Sequence, residues 1–274
     1  MRYVGGARES GCIFCNRLAG TDDVQSLIVH RDSDVFVIMN LYPYNSAHLM
    51  IVPNAHVGSP ENVSDAASAR LGTLLGPVLR ALRRVLRCEG FNVGINVGDV
   101  AGAGVAEHLH QHVVPRWTGD ANFMPILAGS TVMPELLPVT YAKVRAEIQR
   151  ELTPAAQPGR DTVRVVLTTD SGETMLHSTP SGPRLPRFTA TEGNPLWRAA
   201  LDGIAPFATE PEIVGWSGEV VAALDQPVIL AVRACTVAAA VPLPAIVVDR
   251  AEAVRSVTDS CDRAALARGF DSIG

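Results

Sequence analysis

The spacing of apolar and polar residues predicts alternating strands and helices over the first 152 positions. Short apolar runs predict strands at 27–31, 35–40, 48–53, 91–97 and 109–114. Leucines and valines at helical spacing predict a long helix from Ser64 towards Cys88, kinked or broken at Pro77. A glycine-rich loop, 98–104, joins the last two strands, and a final helix is expected over about 134–152. Short connections between strands favour an antiparallel sheet with helices packed on it, an α+β fold.

The pattern changes after residue 152. Residues 153–160 (TPAAQPGR) are rich in proline, alanine and glycine, which predicts a linker. Beyond it, apolar runs predict a hairpin of strands 163–169 and 174–177, strands 213–216 and 228–235, and helices 195–204 and 251–268. We therefore expect two domains, 1–152 and 161–274, the second a small α/β domain.

Composition narrows the possible function classes. The chain is 47% hydrophobic and 19% charged, as in globular proteins. A net charge of -5 and a pI near 5.8 argue against a general nucleic-acid binder or a binder of anionic membranes. The N-terminus shows no signal-peptide pattern, and the longest apolar segment, 237–248, contains two prolines. We therefore expect a cytoplasmic protein with no membrane or nucleic-acid partner.

Three of the seven histidines occupy alternate positions in the segment EHLHQHVVP, residues 107–115. Successive side chains of a strand point to opposite faces, so His108, His110 and His112 are expected in one row on one face. Three imidazoles in a row suit metal ligation, phosphate chemistry or both.

Only two of the five cysteines, Cys12 and Cys15, form a pattern, C-I-F-C. The spacing suits a metal site or a redox pair, and redox pairs usually open a helix, whereas this one lies in a Gly/Ser-flanked stretch. Zinc takes four sulfur and nitrogen ligands, and His56 and His108 would complete the set as a structural site. The alternative is that both cysteines are inert, buried apolar residues.

His110 is the candidate nucleophile. A neutral imidazole can attack an α-phosphorus and divide one difficult displacement into two easier ones. His112 would hold its tautomer or carry charge near the leaving group, and Arg116 would lie against the anion. The preceding loop, with Gly102 and Gly104, would offer backbone N–H groups to phosphate oxygens.

The segment H-L-H-Q-H-V-V, residues 108–114, resembles the motif of the histidine-triad (HIT) superfamily, and residues 8–152 agree with it. The stretch PRWTGDANFMP after the triad is most similar to the bacterial branch with diadenosine tetraphosphate phosphorylases. The resemblance implies an antiparallel α+β fold, a homodimer, and nucleotidyl transfer or hydrolysis at an α-phosphate. It also implies roles for Asn40 (ribose), His48 (facing the phosphates), Asn96 (phosphate) and Trp117 (base stacking).

The chain departs from the family pattern at two places. Ala47 stands where glycine is common, and Gly104-Val105 stands where many members have Gln-Ser or Gln-Thr. The second departure removes a side-chain contact to the phosphate or the leaving group.

Residues 161–274 faintly resemble a Nudix domain that lacks the paired glutamates needed to hold Mg²⁺, since the matching helix reads PLWRAALDG. Such a module would be non-catalytic, and an unrelated α/β domain is an equal alternative.

The predicted function is cleavage of a dinucleoside polyphosphate through a nucleotidyl-His110 intermediate, with inorganic phosphate or water as acceptor. The best candidate reaction is phosphorolysis of diadenosine tetraphosphate to ADP and ATP. The alternative is a nucleotide-binding or sensing protein with a weakly active HIT domain, whose C-terminal domain binds a partner or ligand.

Overall fold

The computed structural model describes residues 10–120, 135–238 and 245–271. The chain divides into two compact units, one of residues 1–135 with 220–222 and one of residues 136–219 with 223–274. The helix assigned from sequence to the end of the first domain thus belongs to the second unit. The domain functions stay a prediction.

The first unit contains a five-stranded antiparallel sheet in the order β1-β2-β3-β5-β4. The strands are β1 (Ile28–Arg31), β2 (Val35–Met39), β3 (Leu49–Pro53), β4 (Gly90–Ile95) and β5 (Gln111–Arg116). The helices are α1 (Ile13–Ala19), α2 (Asp23–Ser26) and α3 (Asp65–Leu86). The expected mixed architecture of antiparallel sheet and helices is confirmed.

Strands β2 and β3 form the centre of this unit. Every residue of VFVIM and of LMIVP is buried, so neither strand has a solvent face. One apolar cluster on them contains Phe14 of α1 together with Phe36, Ile38, Met50 and Val52. A strand buried on both faces has a continuous apolar run instead of strict alternation, which made these two strands readable in the sequence.

Helix α3 runs unbroken through Pro77, so the predicted break does not occur. The Ser64 side chain caps it by accepting the N–H of Ala67 at 3.2 Å. Leu74 and Val78, on either side of the proline, are both buried. Packing of this continuous apolar face holds the two halves in one helix despite the missing N–H.

The histidine-bearing segment enters the sheet later than predicted, because β5 begins at Gln111. His112 lies opposite Met50 of β3 and Gly94 of β4. His108 and His110 precede the strand, where the Leu109 N–H donates to the carbonyl of Val57 at 2.6 Å. The first two histidines are therefore held by a loop contact and only the third by the sheet.

In its described residues, the second unit combines helices with three small sheets. A four-stranded sheet has the order β10-β11-β6-β8, in which β6 and β11 are parallel, and two-stranded sheets pair β12 with β9 and β13 with β7. The strands are β6 (Thr162–Thr169), β7 (Glu173–His177), β8 (Arg187–Thr189), β9 (Ala208–Thr209), β10 (Glu212–Trp216), β11 (Val228–Ala234), β12 (Thr236–Val237) and β13 (Ala245–Asp249). The helices are α4 (Leu137–Leu152), α5 (Leu196–Ile204), α6 (Arg250–Ser256) and α7 (Ser260–Asp271).

Two predictions for this unit were wrong. Strands β6 and β7 do not form a hairpin, because β6 pairs with β11 and β8 while β7 pairs with β13. The single C-terminal helix is two helices, because the Asp259 carboxylate accepts the N–H of Asp262 at 3.0 Å and starts a new helix there. Neither observation bears on the Nudix resemblance. The helix predicted over about 134–152 is α4, Leu137–Leu152. Its predicted first residue, 134, lies outside the described residues.

Among the described residues, no helix is both long enough and apolar enough to cross a bilayer.

A substitution at Gly203 in α5 tests how tightly the second unit is packed. A Cβ at this position would lie 2.1 Å from Cδ1 of Phe188, whereas a Cβ at Gly72 in α3 meets nothing within 4 Å. We expect Gly203→Ala to lower the stability of the second unit by about 1–3 kcal/mol. Gly72→Ala should be neutral or stabilise by up to about 1 kcal/mol, because alanine favours helix. Calorimetric melting of the full chain measures both, and equal melting of the two variants would contradict the packing.

Candidate functional site

The structure brings together the four residues predicted to hold a metal. The ligand atoms of Cys12, Cys15, His56 and His108 all lie within 4.8 Å of one another. Cys12 Sγ lies 3.3 Å and Cys15 Sγ 3.6 Å from Nδ1 of His108, and Cys15 Sγ lies 3.4 Å from Nδ1 of His56. Tetrahedral zinc ligands, with bonds of about 2.0–2.3 Å, are separated by roughly 3.5 Å. The cluster therefore has the donor set and the size to hold a metal ion.

Helix α1 sets the positions of the two cysteines. Cys12 is its N-cap residue and Cys15 lies in its first turn. The motif therefore does open a helix, unlike the expectation from its glycine and serine neighbours. Burial, and then the neighbouring Cys12, raise the pKa of the Cys15 thiol. A bound cation would counter this effect by stabilising the thiolate.

His108 is oriented for ligation through Nδ1. It is fully buried, and its Nε2 lies 2.9 Å from the carbonyl of Pro53. A carbonyl only accepts, so Nε2 carries the proton and Nδ1 keeps its lone pair towards the cysteines. The backbone at residue 58 can approach the segment before His108 because residue 58 is glycine. A Cβ on Gly58 would lie 2.9 Å from the carbonyl oxygen of Ala106.

The same reasoning assigns the tautomer of His110. Its Nδ1 lies 2.8 Å from the carbonyl of His108 and donates to it. The lone pair is therefore on Nε2, and no described residue bonds to that atom. The ring packs beside Phe14 and His112, with centroids at 5.0 and 4.8 Å, and 4% of the residue is exposed. This arrangement supplies a fixed neutral imidazole with one nitrogen available for reaction.

His48 lies behind His112, and its expected placement facing the phosphates stays a prediction. It is completely buried, and its Nε2 lies 2.9 Å from Nδ1 of His112. The backbone N–H of Tyr44 donates to Nδ1 of His48 at 3.2 Å, so the proton of His48 is on Nε2 and is donated to His112. His112 is consequently left with its proton on Nε2. The role of His48 in catalysis stays a prediction, and the geometry is that of a positioning residue.

Asn40 belongs to this chain of contacts. Its Nδ2 lies 3.2 Å from Nδ1 of His48, and its Oδ1 accepts the N–H of Tyr42 at 2.9 Å. The predicted ribose contact is not tested by these bonds.

Burial keeps the histidines of the site neutral. It lowers the pKa of His48 to about 3, with further lowering by His112 and His110. Burial also lowers the pKa of His112 to about 4, with a contribution from His110. The pKa of His110 is lowered by burial, against the opposing effect of the His108 carbonyl. Neutral rings keep the lone pairs that attack on phosphorus requires.

His112 lines a cleft of about 400 Å³ on the first unit. Asn96 and Arg116, both predicted as substrate contacts, line it as well, together with Gly94. A Cβ at Gly94, the cross-strand neighbour of His112, would meet nothing within 4 Å, so the cleft is open at this point.

Arg116 is already engaged in ion pairing. Its Nε and Nη2 donate to the two carboxylate oxygens of Asp120 at 2.7 and 2.6 Å, and Nη1 donates to Oδ1 of Asn92 at 2.6 Å. The carboxylate offsets the charge that was expected to meet the anion. Asn45 donates to Asp120 at 2.9 Å and completes the network.

The remaining predicted substrate contacts do not line this cleft, and their roles stay predictions. Trp117 does not line the cleft, although its backbone N–H donates to Asp120 at 2.9 Å. The N–H of Gly102 donates to the carbonyl of Asp99 within its own turn, and neither Gly102 nor Gly104 lines the cleft.

Sequence reasoning missed Tyr44, Phe14 and Asp120. The Tyr44 ring lies 4.8 Å from that of His48 and 5.8 Å from that of His112, while 53% of Tyr44 is exposed. The signals were present, since Tyr44 belongs to an aromatic loop and Asp120 follows Arg116 at a spacing of four. Nothing in the sequence shows which histidine such an aromatic residue covers.

The metal cluster yields a direct test. We expect purified protein to contain about one metal ion per chain, and Cys12→Ser/Cys15→Ser to lose it and melt at lower temperature. Elemental analysis and thermal melting measure both. Cys235→Ser, an exposed cysteine outside the cluster, is the matched control. Equal metal content in the two variants would rule out the cluster as a metal site.

Comparison with known proteins places the chain in a family. Residues 21–119 match the HIT domain model. The AP-4-A phosphorylase of Mycobacterium tuberculosis strain H37Rv is 46% identical over 129 residues, which are 47% of this chain and 66% of that protein, so the chain spans just under two thirds of this relative. An uncharacterized HIT-like protein of Saccharolobus solfataricus is 30% identical over 113 residues, 41% of this chain and 79% of that protein.

Solved structures give a weaker likeness. A Zn-bound histidine triad family protein from Mycobacterium smegmatis is 24% identical, with a TM-score of 0.40 over 50% of this chain and 92% of that one. A TM-score of this size carries no weight for the assignment. The sequence comparisons are sufficient: this chain belongs to the HIT family.

Proposed function

We propose that this HIT protein cleaves dinucleoside polyphosphates through a nucleotidyl-His110 intermediate, with diadenosine tetraphosphate as the best candidate substrate. The observation that carries the proposal is the 2.8 Å bond between His110 Nδ1 and the His108 carbonyl, which leaves Nε2 as the only lone pair on the ring. The name of the M. tuberculosis relative, AP-4-A phosphorylase, supports the substrate.

The proposed reaction has two displacements. His110 Nε2 attacks the α-phosphorus, a P–N bond forms, and the bond from phosphorus to the bridging oxygen breaks to release ATP. An oxygen of inorganic phosphate then attacks the same phosphorus, and the P–N bond breaks to give ADP. The Nε2–H of His112, held by His48, would donate to a phosphate oxygen and stabilise its charge during both steps.

Zinc is the metal we propose for the cluster. Two cysteine sulfurs and two imidazole nitrogens are the donors zinc prefers, and the full set of four protein ligands is that of a structural site. The ion would anchor α1 against the segment that carries His108. A thiolate metal site also supports a reducing, cytoplasmic location.

A homodimer of this chain remains part of the proposal. Strand β4 is an edge of the first sheet, and Val93 and Val97 are 40% and 45% exposed. Unpaired edges and exposed apolar residues are typical of surfaces that a partner covers.

The alternative of a nucleotide-binding or sensing protein with a weakly active HIT domain is favoured by one observation. Arg116, which lines the cleft, is neutralised by Asp120, so less charge is available for a polyphosphate. Tight nucleotide binding without product formation would favour this alternative.

The nucleophile is tested by His110→Asn. We expect kcat for diadenosine tetraphosphate to fall by at least about 10³-fold, because the attacking nitrogen is removed. His177→Asn, the same change at a histidine of the second unit, should leave turnover unchanged. Chromatography with and without inorganic phosphate identifies the acceptor, since ADP with ATP indicates phosphorolysis and AMP with ATP indicates hydrolysis.

Retained turnover in His110→Asn would refute the intermediate. The Candida albicans relative, an adenosine 5'-monophosphoramidase, is 29% identical over 118 residues. Turnover of adenosine 5'-phosphoramidate but not of dinucleoside polyphosphates would favour a substrate of that kind for this chain.

The positioning role of His48 predicts a different kinetic pattern. His48→Leu removes the donor to His112 and should lower kcat by at least about 10-fold with little change in KM. His48→Gln, which keeps an N–H donor, should recover part of the loss. Identical kcat values for the leucine and glutamine variants would count against the hydrogen bond.

A further inference from the structure

The second unit contains a cavity of about 270 Å³ lined by four arginines, Arg150, Arg160, Arg164 and Arg187. The one carboxylate among its lining residues is Asp225. The cavity lies outside residues 21–119, which match the HIT domain, and the proposed nucleotidyl transfer does not use it. Asp161 pairs with Arg150 and Arg160, and Asp262 pairs with Arg164, so these three charges are offset from outside the lining. Guanidinium N–H groups that still lack a partner on a concave surface favour an anion.

Two of these arginines face each other across neighbouring strands. Arg164 of β6 lies directly opposite Arg187 of β8 in the antiparallel register. Like charges at directly opposed positions destabilise a sheet, because their side chains share one face. Asp262 and Asp259 offset the charge of Arg164, so an anion at this point would be held chiefly by Arg187.

Three of the arginines are held in place by the protein itself. Arg150 Nε donates to Asp161 at 2.6 Å, Arg160 Nε donates to the carbonyl of Thr153 at 3.0 Å, and Arg164 Nη1 donates to Asp262 at 2.5 Å. In all three, Nη2 donates no hydrogen bond to another described residue. The bonds therefore fix the guanidinium groups while leaving donors for a ligand, which reduces the entropy cost of binding.

Arg187 is the least constrained of the four. It is exposed, and in residues 10–120, 135–238 and 245–271 its guanidinium has neither a hydrogen bond nor an ion pair. Its five N–H donors match the oxygens of a phosphate group in a bidentate fork.

The size of the cavity limits the ligand. Pockets for drug-sized molecules measure about 300–1,000 Å³, so 270 Å³ suits inorganic phosphate or a compact phosphate monoester. The lining residues Leu224 and Pro227 give one wall apolar character suited to a small organic group. A dinucleoside polyphosphate exceeds this space.

We propose that this arginine cavity binds a phosphate dianion, either as inorganic phosphate or as the phosphate group of a small monoester. The site shares no lining residue with the His112 cleft and gives the second unit a ligand-binding role of its own. The inference does not depend on the proposed reaction, since Arg187 lies in the other unit.

Binding of inorganic phosphate and of AMP, measured separately by calorimetry on the full-length chain, tests the proposal. Arg187→Gln should weaken binding by at least about 10-fold, because it removes the fork and the charge. Arg187→Lys keeps the charge without the fork and should lie between wild type and Arg187→Gln. Arg255→Gln removes an exposed arginine of α6 that does not line the cavity and is the matched control.

The two probes separate the two sources of phosphate. An Arg187-dependent loss for inorganic phosphate alone supports the free anion, and a loss for AMP supports a monoester. Phosphate held only at the His112 cleft is unaffected by Arg187→Gln, and this result would overturn the proposal. Equal affinities of Arg187→Gln and Arg255→Gln for both probes, or no saturable binding to wild type, would overturn the proposal. Unchanged melting of the variants excludes a folding defect as the cause.

Discussion

The account of the first unit depends on one hydrogen bond, from Nδ1 of His110 to the carbonyl of His108. A carbonyl can only accept, so this bond decides which ring nitrogen is protonated and leaves the lone pair on Nε2. The nucleophile is thus specified by backbone geometry two residues away, without a charged partner. Burial reinforces the arrangement by lowering the pKa of the ring and keeping it neutral.

The position of His108 is itself constrained through its side chain. Its imidazole belongs to the four-residue Cys/His cluster that could hold a metal ion, and its Nε2 donates to the carbonyl of Pro53. Because the same residue supplies the carbonyl that orients His110, anything that shifts the cluster also shifts the acceptor of that bond. An ion held by this cluster would therefore be coupled, through His108, to the orientation of the proposed nucleophile.

Much of the first unit could be predicted from the sequence because its signals are local. The buried strands β2 and β3 are continuous apolar runs, and the spacings of Cys12 with Cys15 and of the three histidines follow from single elements. The sequence does not show the pairing between distant segments. Apolar spacing does not state that β6 pairs with β11 rather than with β7, nor that the carboxylate of Asp120 neutralises Arg116. The sequence also does not show that His48 lies behind His112, because this depends on how two distant segments pack against each other.

The tautomer of His110 tests the account most directly. Nitrogen-15 NMR of the full-length chain at neutral pH, assigned by comparison with His110→Asn, distinguishes a protonated ring nitrogen from one with a free lone pair. The geometry predicts a neutral ring with its proton on Nδ1 and an unprotonated Nε2. A proton on Nε2, or a doubly protonated ring, would contradict it and would remove the basis for a nucleotidyl-histidine intermediate.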